Sequence, residues 1–190
     1  MSESTVLTAL AVFERAIVAK ESRFDRFQQG DKSALTEEEQ RGFATFSGKG
    51  LCSRCHRGTE LSDQKFHNTG VETDDLGRIK IVRNPEFQLR PYPFFGNHKA
   101  FKTPSLRNVS TTAPYFHNGS EASLEEVVRF YNEGGKAVDT YGRSPDVGKI
   151  GLTESEISEL VAFLGSLRSE VQFCPPNRAT TNAIPANAGS

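Results

Sequence analysis

LCSRCHRG, residues 51–58, carries Cys52, Cys55 and His56 in the spacing C-x-x-C-H. That spacing is the attachment signature of a c-type haem. Two thiols one helical turn apart can each form a thioether to a vinyl group on one porphyrin edge. The adjacent imidazole then lies beneath the metal as proximal ligand. Gly50 and Gly58 let the chain turn tightly into and out of this short helix. A C-x-x-C pair also serves as a redox dithiol or as half of a zinc site. A zinc site needs a second ligand pair, and the remaining cysteine, Cys174, stands in a Pro-rich tail. A thioredoxin-like dithiol needs a βαβ setting, which this sequence does not offer around Cys52. Haem c is the reading that remains, with Cys52 and Cys55 as attachment points and His56 on the iron.

Upstream of the motif, Val6, Leu10, Phe13 and Ile17 follow helical spacing and predict an amphipathic helix over about 5–20. A polar linker, SRFDRFQQGDKSA, follows, with Phe24 and Phe27 expected to pack back on the core. Thr36 and Glu39 form a capping box that opens a second helix through about Phe46, delivering the chain into the motif. Downstream, residues 61–100 show little periodicity and many breakers, among them Asn68, Gly70, Gly77, Pro85, Pro91, Pro93 and Gly96. A loop that long is functional or wraps something. A porphyrin is the obvious object, and Phe94, Phe95 and Phe101 are candidate covers. Pro104 is expected to open a short helix, TPSLRNV, and TTAPYFHNGS reads as a rigid turn. Ser123 and Glu126 cap a helix bearing Val127, Val128, Phe130 and Tyr131, which stops at Gly134-Gly135. Thr153 and Glu156 cap a last helix with Ile157, Leu160, Val161, Leu164 and Leu167 on its apolar stripe. The fold class is therefore all-α: a cytochrome c-like helical domain with long haem-wrapping loops. The expected organisation is a helix and linker arm over 1–30, a haem domain over 31–170 and a loose tail over 171–190.

The chain has 190 residues and a formal net charge of -1, so it is long enough for one sizeable core and carries no nucleic-acid footprint. A mean hydropathy of -0.50 and the absence of a long apolar run exclude a membrane span. MSESTVLTAL lacks the basic n-region, apolar run and cleavage site of a signal peptide. Covalent haem attachment takes place outside the cytoplasm, so the expectation is a periplasmic protein and a segment of a longer precursor.

What fills the sixth position of the iron decides the chemistry. Electron carriers commonly use Met, and the only Met here is Met1, at a terminus. From the residues alone the candidates stay open: His67, His98, His117, Tyr131, another tyrosine, a lysine, or no protein ligand.

The stretches ALAVFERAIV, RFDRF, EEEQRGFATFSGKGLCSRCHRG, FHNTGV, FKTPSLRNVSTTAPYFHNGS and SLEEVVRFYNEGG extend this. From Leu7 to about Gly165 the chain resembles the C-terminal haem domain of bacterial di-haem cytochrome c peroxidases and MauG proteins. In the peroxidases of that family a Met follows the His of Y-F-H-x-G at a fixed distance and is the second axial ligand. Here that His is His117, and the matching position, fourteen residues on (131 − 117), is Tyr131. MauG proteins carry a ligating Tyr there. The resemblance thus implies Tyr131 as distal ligand and as the residue central to catalysis. A phenolate is a hard donor that lowers the ferric/ferrous potential and suits a store of oxidising equivalents better than a simple relay. The resemblance also implies backbone-carbonyl ligation of a calcium ion by Thr112 and Pro114, with a further ligand from an N-terminal domain. It places Arg107 and Lys102 near the haem propionates, and His117 and His67 near the haem edge.

Family members carry two C-x-x-C-H motifs and an intervening Trp; this chain has one motif and no Trp. The implied partners are an N-terminal haem domain or second haem-bearing chain, and a redox protein or oxidisable protein substrate. The implied function is that of the haem c domain of a MauG-like di-haem peroxidase or oxidase. The competing readings are a stand-alone mono-haem electron carrier and a fragment of a conventional di-haem cytochrome c peroxidase.

Overall fold

The computed structural model of the protein describes residues 2–80, 98–136 and 142–174. They fall into two compact units, one over Ser22–Arg168 and one built from 2–21 with 169–174. The expected arm over 1–30 is thus divided at Ser22.

The larger unit is organised by capped helices. Its first, α2 (Arg23–Gln28), lies where a linker was expected. The Asp25 carboxylate accepts from the Ser22 amide at 2.8 Å, and the Ser22 hydroxyl accepts from the Asp25 amide at 3.3 Å. That capping box satisfies two otherwise orphaned amides and turns Phe24 and Phe27 to the core. α3 (Glu37–Ser47), α4 (Leu124–Glu133) and α5 (Glu154–Ser166) begin with the boxes expected at Thr36, Ser123 and Thr153. α4 stops because Gly134 and Gly135 both take φ of +86°, where a Cβ is unfavourable.

α3 and α5 pack closely at Gly42, where a Cβ would run into the Glu159 carbonyl of α5. Beside this contact Phe163 is wholly buried, with Phe24, Phe46 and Phe43 ring centroids 5.1, 5.2 and 5.3 Å away. Ile157, Leu160, Leu164 and Leu167 join them, with Val128 of α4 and Cys52 of the motif packed against the same core. Arg23 pairs with Glu39, tying α2 to α3.

Strands modify the all-α expectation. β2 (Phe66–His67) and β3 (Phe101–Lys102) pair antiparallel, Phe66 opposite Lys102 and His67 opposite Phe101. The helix expected at TPSLRNV does not form. The Arg107 amide is taken by the Ser105 hydroxyl, Asn108 adopts φ of +60°, and the Asn108 amide bonds the Leu167 carbonyl. Only a 3₁₀ turn at Val109–Thr111 remains. TTAPYFHNGS is a closed turn, bridged between Tyr115 and Glu121. Pro85, Pro91, Pro93, Phe94, Phe95 and Gly96 lie outside the described residues, as does the tail from 175.

In the smaller unit α1 (Glu3–Ala16) ends earlier than its periodicity suggests. β-branched Ile17 and Val18 instead open β1 (Ile17–Ala19), which pairs antiparallel with β4 (Val171–Phe173). Val6, Leu10 and Phe13, the apolar stripe of α1, are exposed. Among the described residues no helix is long and apolar enough to cross a membrane.

Candidate functional site

Leu51, in the left-handed region at φ +57°, turns the chain from α3 into a 3₁₀ turn over Cys52–Arg54. The His56 amide donates to the Cys52 carbonyl at 2.9 Å, so both thiols and the imidazole leave one tight coil. Gly50 is needed for close approach: a Cβ there would meet the Thr45 carbonyl at 2.8 Å. Burial pushes the Cys52 thiol up to about 11 and also raises Cys55, helped there by the Asp63 and Asp146 carboxylates. Both are therefore neutral thiols at neutral pH, suited to an apolar porphyrin edge.

His56 is held by the segment that follows. Its Nδ1 donates to the Leu61 carbonyl at 3.0 Å, and the Pro104 carbonyl is a further acceptor beside the ring. Burial lowers the His56 pKa, favouring the neutral ring. With Nδ1 carrying the proton, Nε2 keeps its lone pair for a metal. His56 and Leu61 line a cavity of about 410 Å³ whose other walls include Phe24, Phe43 and Phe46.

Tyr131 stands on α4 within electrostatic reach of the same thiols. Its hydroxyl bonds Thr69 and interacts electrostatically with both Cys55 and Cys52. Burial pushes the phenol up to about 12. The ring sits edge-on to Phe130, centroids 5.3 Å apart, and to Phe116 at 5.9 Å.

The other sequence-derived candidates fall around this centre. Arg107 forms a two-pronged pair with Asp25, at 2.9 and 3.0 Å, and its Nε donates to the Thr59 carbonyl at 2.9 Å. It therefore clamps the loop after the motif to α2. Lys102 is exposed on β3. His117 stacks on Phe101 at 3.5 Å between centroids, with Nε2 3.3 Å from the Thr73 hydroxyl. Thr112 and Pro114 stand exposed on their turn. The His98 carbonyl accepts from Asn68. His67 Nε2 donates to Asp63 at 2.8 Å.

Cys55, Asp63 and His67 offer donor atoms within 4.8 Å of one another. This supplies a second ligand pair of the sort a zinc site needs, but beside one thiol only. Burial opposes the Asp63 charge, yet the Lys65 amide and the His67 ring hold its carboxyl down at about 2. Asp63, Thr69, Asp25 and the Leu61 carbonyl were not singled out in the sequence. Of these only Asp25 had a local signal, the S-x-x-D box at Ser22.

Two thiols on one coil, an imidazole with Nε2 available and aromatic walls, with a phenol within electrostatic reach of both sulfurs, form a donor set that a c-type haem fits. The class defined by fold and site is a helix-rich cytochrome c-type haem domain. The chain is 40% identical over 183 residues to the cytochrome-c peroxidase IdrP1 of Denitromonas iodatirespirans, covering 84% of this chain and 48% of that protein. It is 39% identical over 166 residues to the methylamine utilization protein MauG of Methylorubrum extorquens, covering 87% of this chain and 44% of that one. A MauG-like protein associated with microbial copper homeostasis superposes with a TM-score of 0.62 at 36% identity, over 79% of this chain and 52% of that structure. No protein-family model matches. Over most of its length the chain is similar to bacterial di-haem cytochrome c peroxidases and MauG proteins, and it spans about half the length of the curated relatives it matches.

Proposed function

We propose that this chain is the C-terminal haem c domain of a MauG-like di-haem peroxidase or oxidase of the periplasm. Its role is to hold oxidising equivalents derived from peroxide, or to relay them to a redox partner or protein substrate. A second haem domain, whether from the same polypeptide or another chain, would meet the peroxide. The observation that carries the reading is a Tyr131 hydroxyl within the electrostatic reach of Cys52 and Cys55, the pair that precedes His56. When bound, the haem supplies the redox-active iron.

The chain's own residues do the rest. Cys52 and Cys55 fix the porphyrin edge through thioethers, and the loops around residues 61–80 and 98–103 would close over the haem. His56 keeps its Nδ1 proton on the Leu61 carbonyl and presents Nε2 to the iron. Burial favours the protonated Tyr131 phenol. Tyr131 would hold the iron of a bound haem as the phenolate, giving up its proton on loading. Thr69 is the hydrogen-bond partner at that oxygen. Thr112 and Pro114, exposed on their turn, would offer carbonyl oxygens to a calcium ion shared with the second domain. Arg107 and Lys102 would offset propionate charge, and His117 and His67 would hydrogen-bond near the haem edge.

Low-temperature EPR and optical spectra of the ferric protein test the assignment alongside Tyr131→Phe. The expected result is a low-spin signal in the parent that turns high-spin in the variant. A spectrum untouched by the substitution would remove Tyr131 from the iron and favour a mono-haem electron carrier. A conventional cytochrome c peroxidase fragment is the second reading, favoured by the name of the 40% identical relative. It has no place for a tyrosinate ligand, so the same spectra separate the two.

A further inference from the structure

We propose that Asp63 is a positioning residue for His56: it fixes the strap that aims the Leu61 carbonyl at Nδ1, and thereby sets how strongly His56 donates to the iron. This inference rests on the haem reading above. The strap runs from Leu61 to Lys65 and is bent twice into the left-handed region, Leu61 at φ +49° and Gln64 at φ +58°. Neither is a glycine, and such conformations persist only where the surrounding structure determines them. Here the surroundings do so through Asp63 and its neighbour.

The Asp63 amide donates to the Cys55 carbonyl at 2.7 Å, joining the strap to the haem motif itself. The Asp63 carboxylate accepts from the Lys65 amide at 2.9 Å and from His67 Nε2 at 2.8 Å, and Thr103 adds a side-chain bond. Ser62 secures the same turn by donating to the Thr103 carbonyl at 2.7 Å, while the Thr103 amide returns to the Lys65 carbonyl at 2.9 Å. The Asp63 side chain is only 3% exposed. Residue 63 therefore ties the motif to the turn through its amide, and a nearly buried carboxylate ties β2 and the segment after β3 to the same turn. The product of that turn is the Leu61 carbonyl 3.0 Å from His56 Nδ1, beside the Pro104 carbonyl that also faces the ring. A carbonyl held there gives the imidazole partial imidazolate character and favours the higher oxidation state of the metal. The Asp63 charge acts in the same direction.

The test uses the full chain matured with covalent haem, comparing the parent with Asp63→Asn and Asp63→Ala. Covalent loading is checked first on denatured protein. The readouts are the ferric/ferrous midpoint potential and the iron–histidine stretch of the ferrous form. Asp63→Ala is expected to lower the iron–histidine frequency and reduce the preference for ferric iron on the order of tenfold. That equals a rise of about 59 mV for one electron. Asp63→Asn keeps the volume and one acceptor, so it should fall between and carries the test if the alanine variant does not fold. A lower melting temperature with potential and stretch both unmoved would overturn the positioning role. A parent without covalent haem would instead sink the haem reading, and this inference with it.

Discussion

The His56 side and the Tyr131 side of the thiol pair are assembled by different means. His56 is fixed by residues within a few positions of the motif, acting largely through the backbone: the Leu61 carbonyl on its ring and the Asp63 amide on Cys55. Tyr131 arrives from a separate helix and is held by burial, by ring contacts with Phe116 and Phe130, and by Thr69. The first arrangement is mostly local, braced from the segment after β3 by Thr103 and Pro104. The second depends on α4 lying where the core puts it. A substitution at position 131 on α4 can therefore leave the motif and its strap unchanged.

The largest expected effect comes from breaking what stands behind the His56 side. Phe163 holds Phe24, Phe43 and Phe46 in place, and those three rings wall the His56 cavity. Phe163→Ala should cost about 3–5 kcal/mol in urea unfolding, because the rings around the void cannot collapse into it fully. Its spectral consequences should fall on the proximal ligand before the distal one. A loss under about 1 kcal/mol would mean that the aromatic cluster is not the support assigned to it here.

The same local-versus-distant contrast governs what could be read from the sequence. Cys52, Cys55 and His56 stood out through the C-x-x-C-H spacing, which the structure winds into one coil. The boxes at Thr36, Ser123 and Thr153 were legible because capping is settled within four residues. α2 has the same kind of box at Ser22, yet its six residues are too short for periodicity to mark them as a helix. β1 escaped notice because strand pairing with residues 171–173 is a contact across the whole chain. Pro104 suggested a helix start, but the amides behind it are claimed by Ser105 and Leu167, which propensity cannot foresee. Tyr131 stood out only through resemblance, since nothing in its spacing distinguishes a ligand from a core aromatic.

Asp25→Asn addresses the clamp between α2 and the loop after the motif and should have the intermediate effect. The Arg107 guanidinium holds the Asp25 carboxyl down at about 2, from an ordinary value of 3.8. Between those values the unfolded chain binds the proton and the folded chain does not, so this stabilisation is present above about pH 4. It is lost as the pH falls through about 2. The asparagine variant should be less stable by about 2 kcal/mol at neutral pH. The gap between parent and variant should close on acidification; a gap constant from pH 7 to 2 would assign the cost to packing rather than charge.

Thr69→Val makes the smallest change and sharpens the Tyr131 side alone. Valine keeps the shape of threonine and removes the hydroxyl, so the Tyr131 oxygen loses its partner while its aromatic contacts stay. The expected cost is about 1 kcal/mol, recovered in Thr69→Ser. Thr69 works against burial by favouring the ionised phenol, so its loss should leave Tyr131 harder to deprotonate. In the haem-loaded protein that means a weaker tyrosinate band and a larger high-spin fraction in Thr69→Val than in the parent. The iron–histidine stretch should not move. Were the stretch to shift while the tyrosinate band stayed fixed, Thr69 would belong to the His56 side, and the two approaches to the thiols would not be independent.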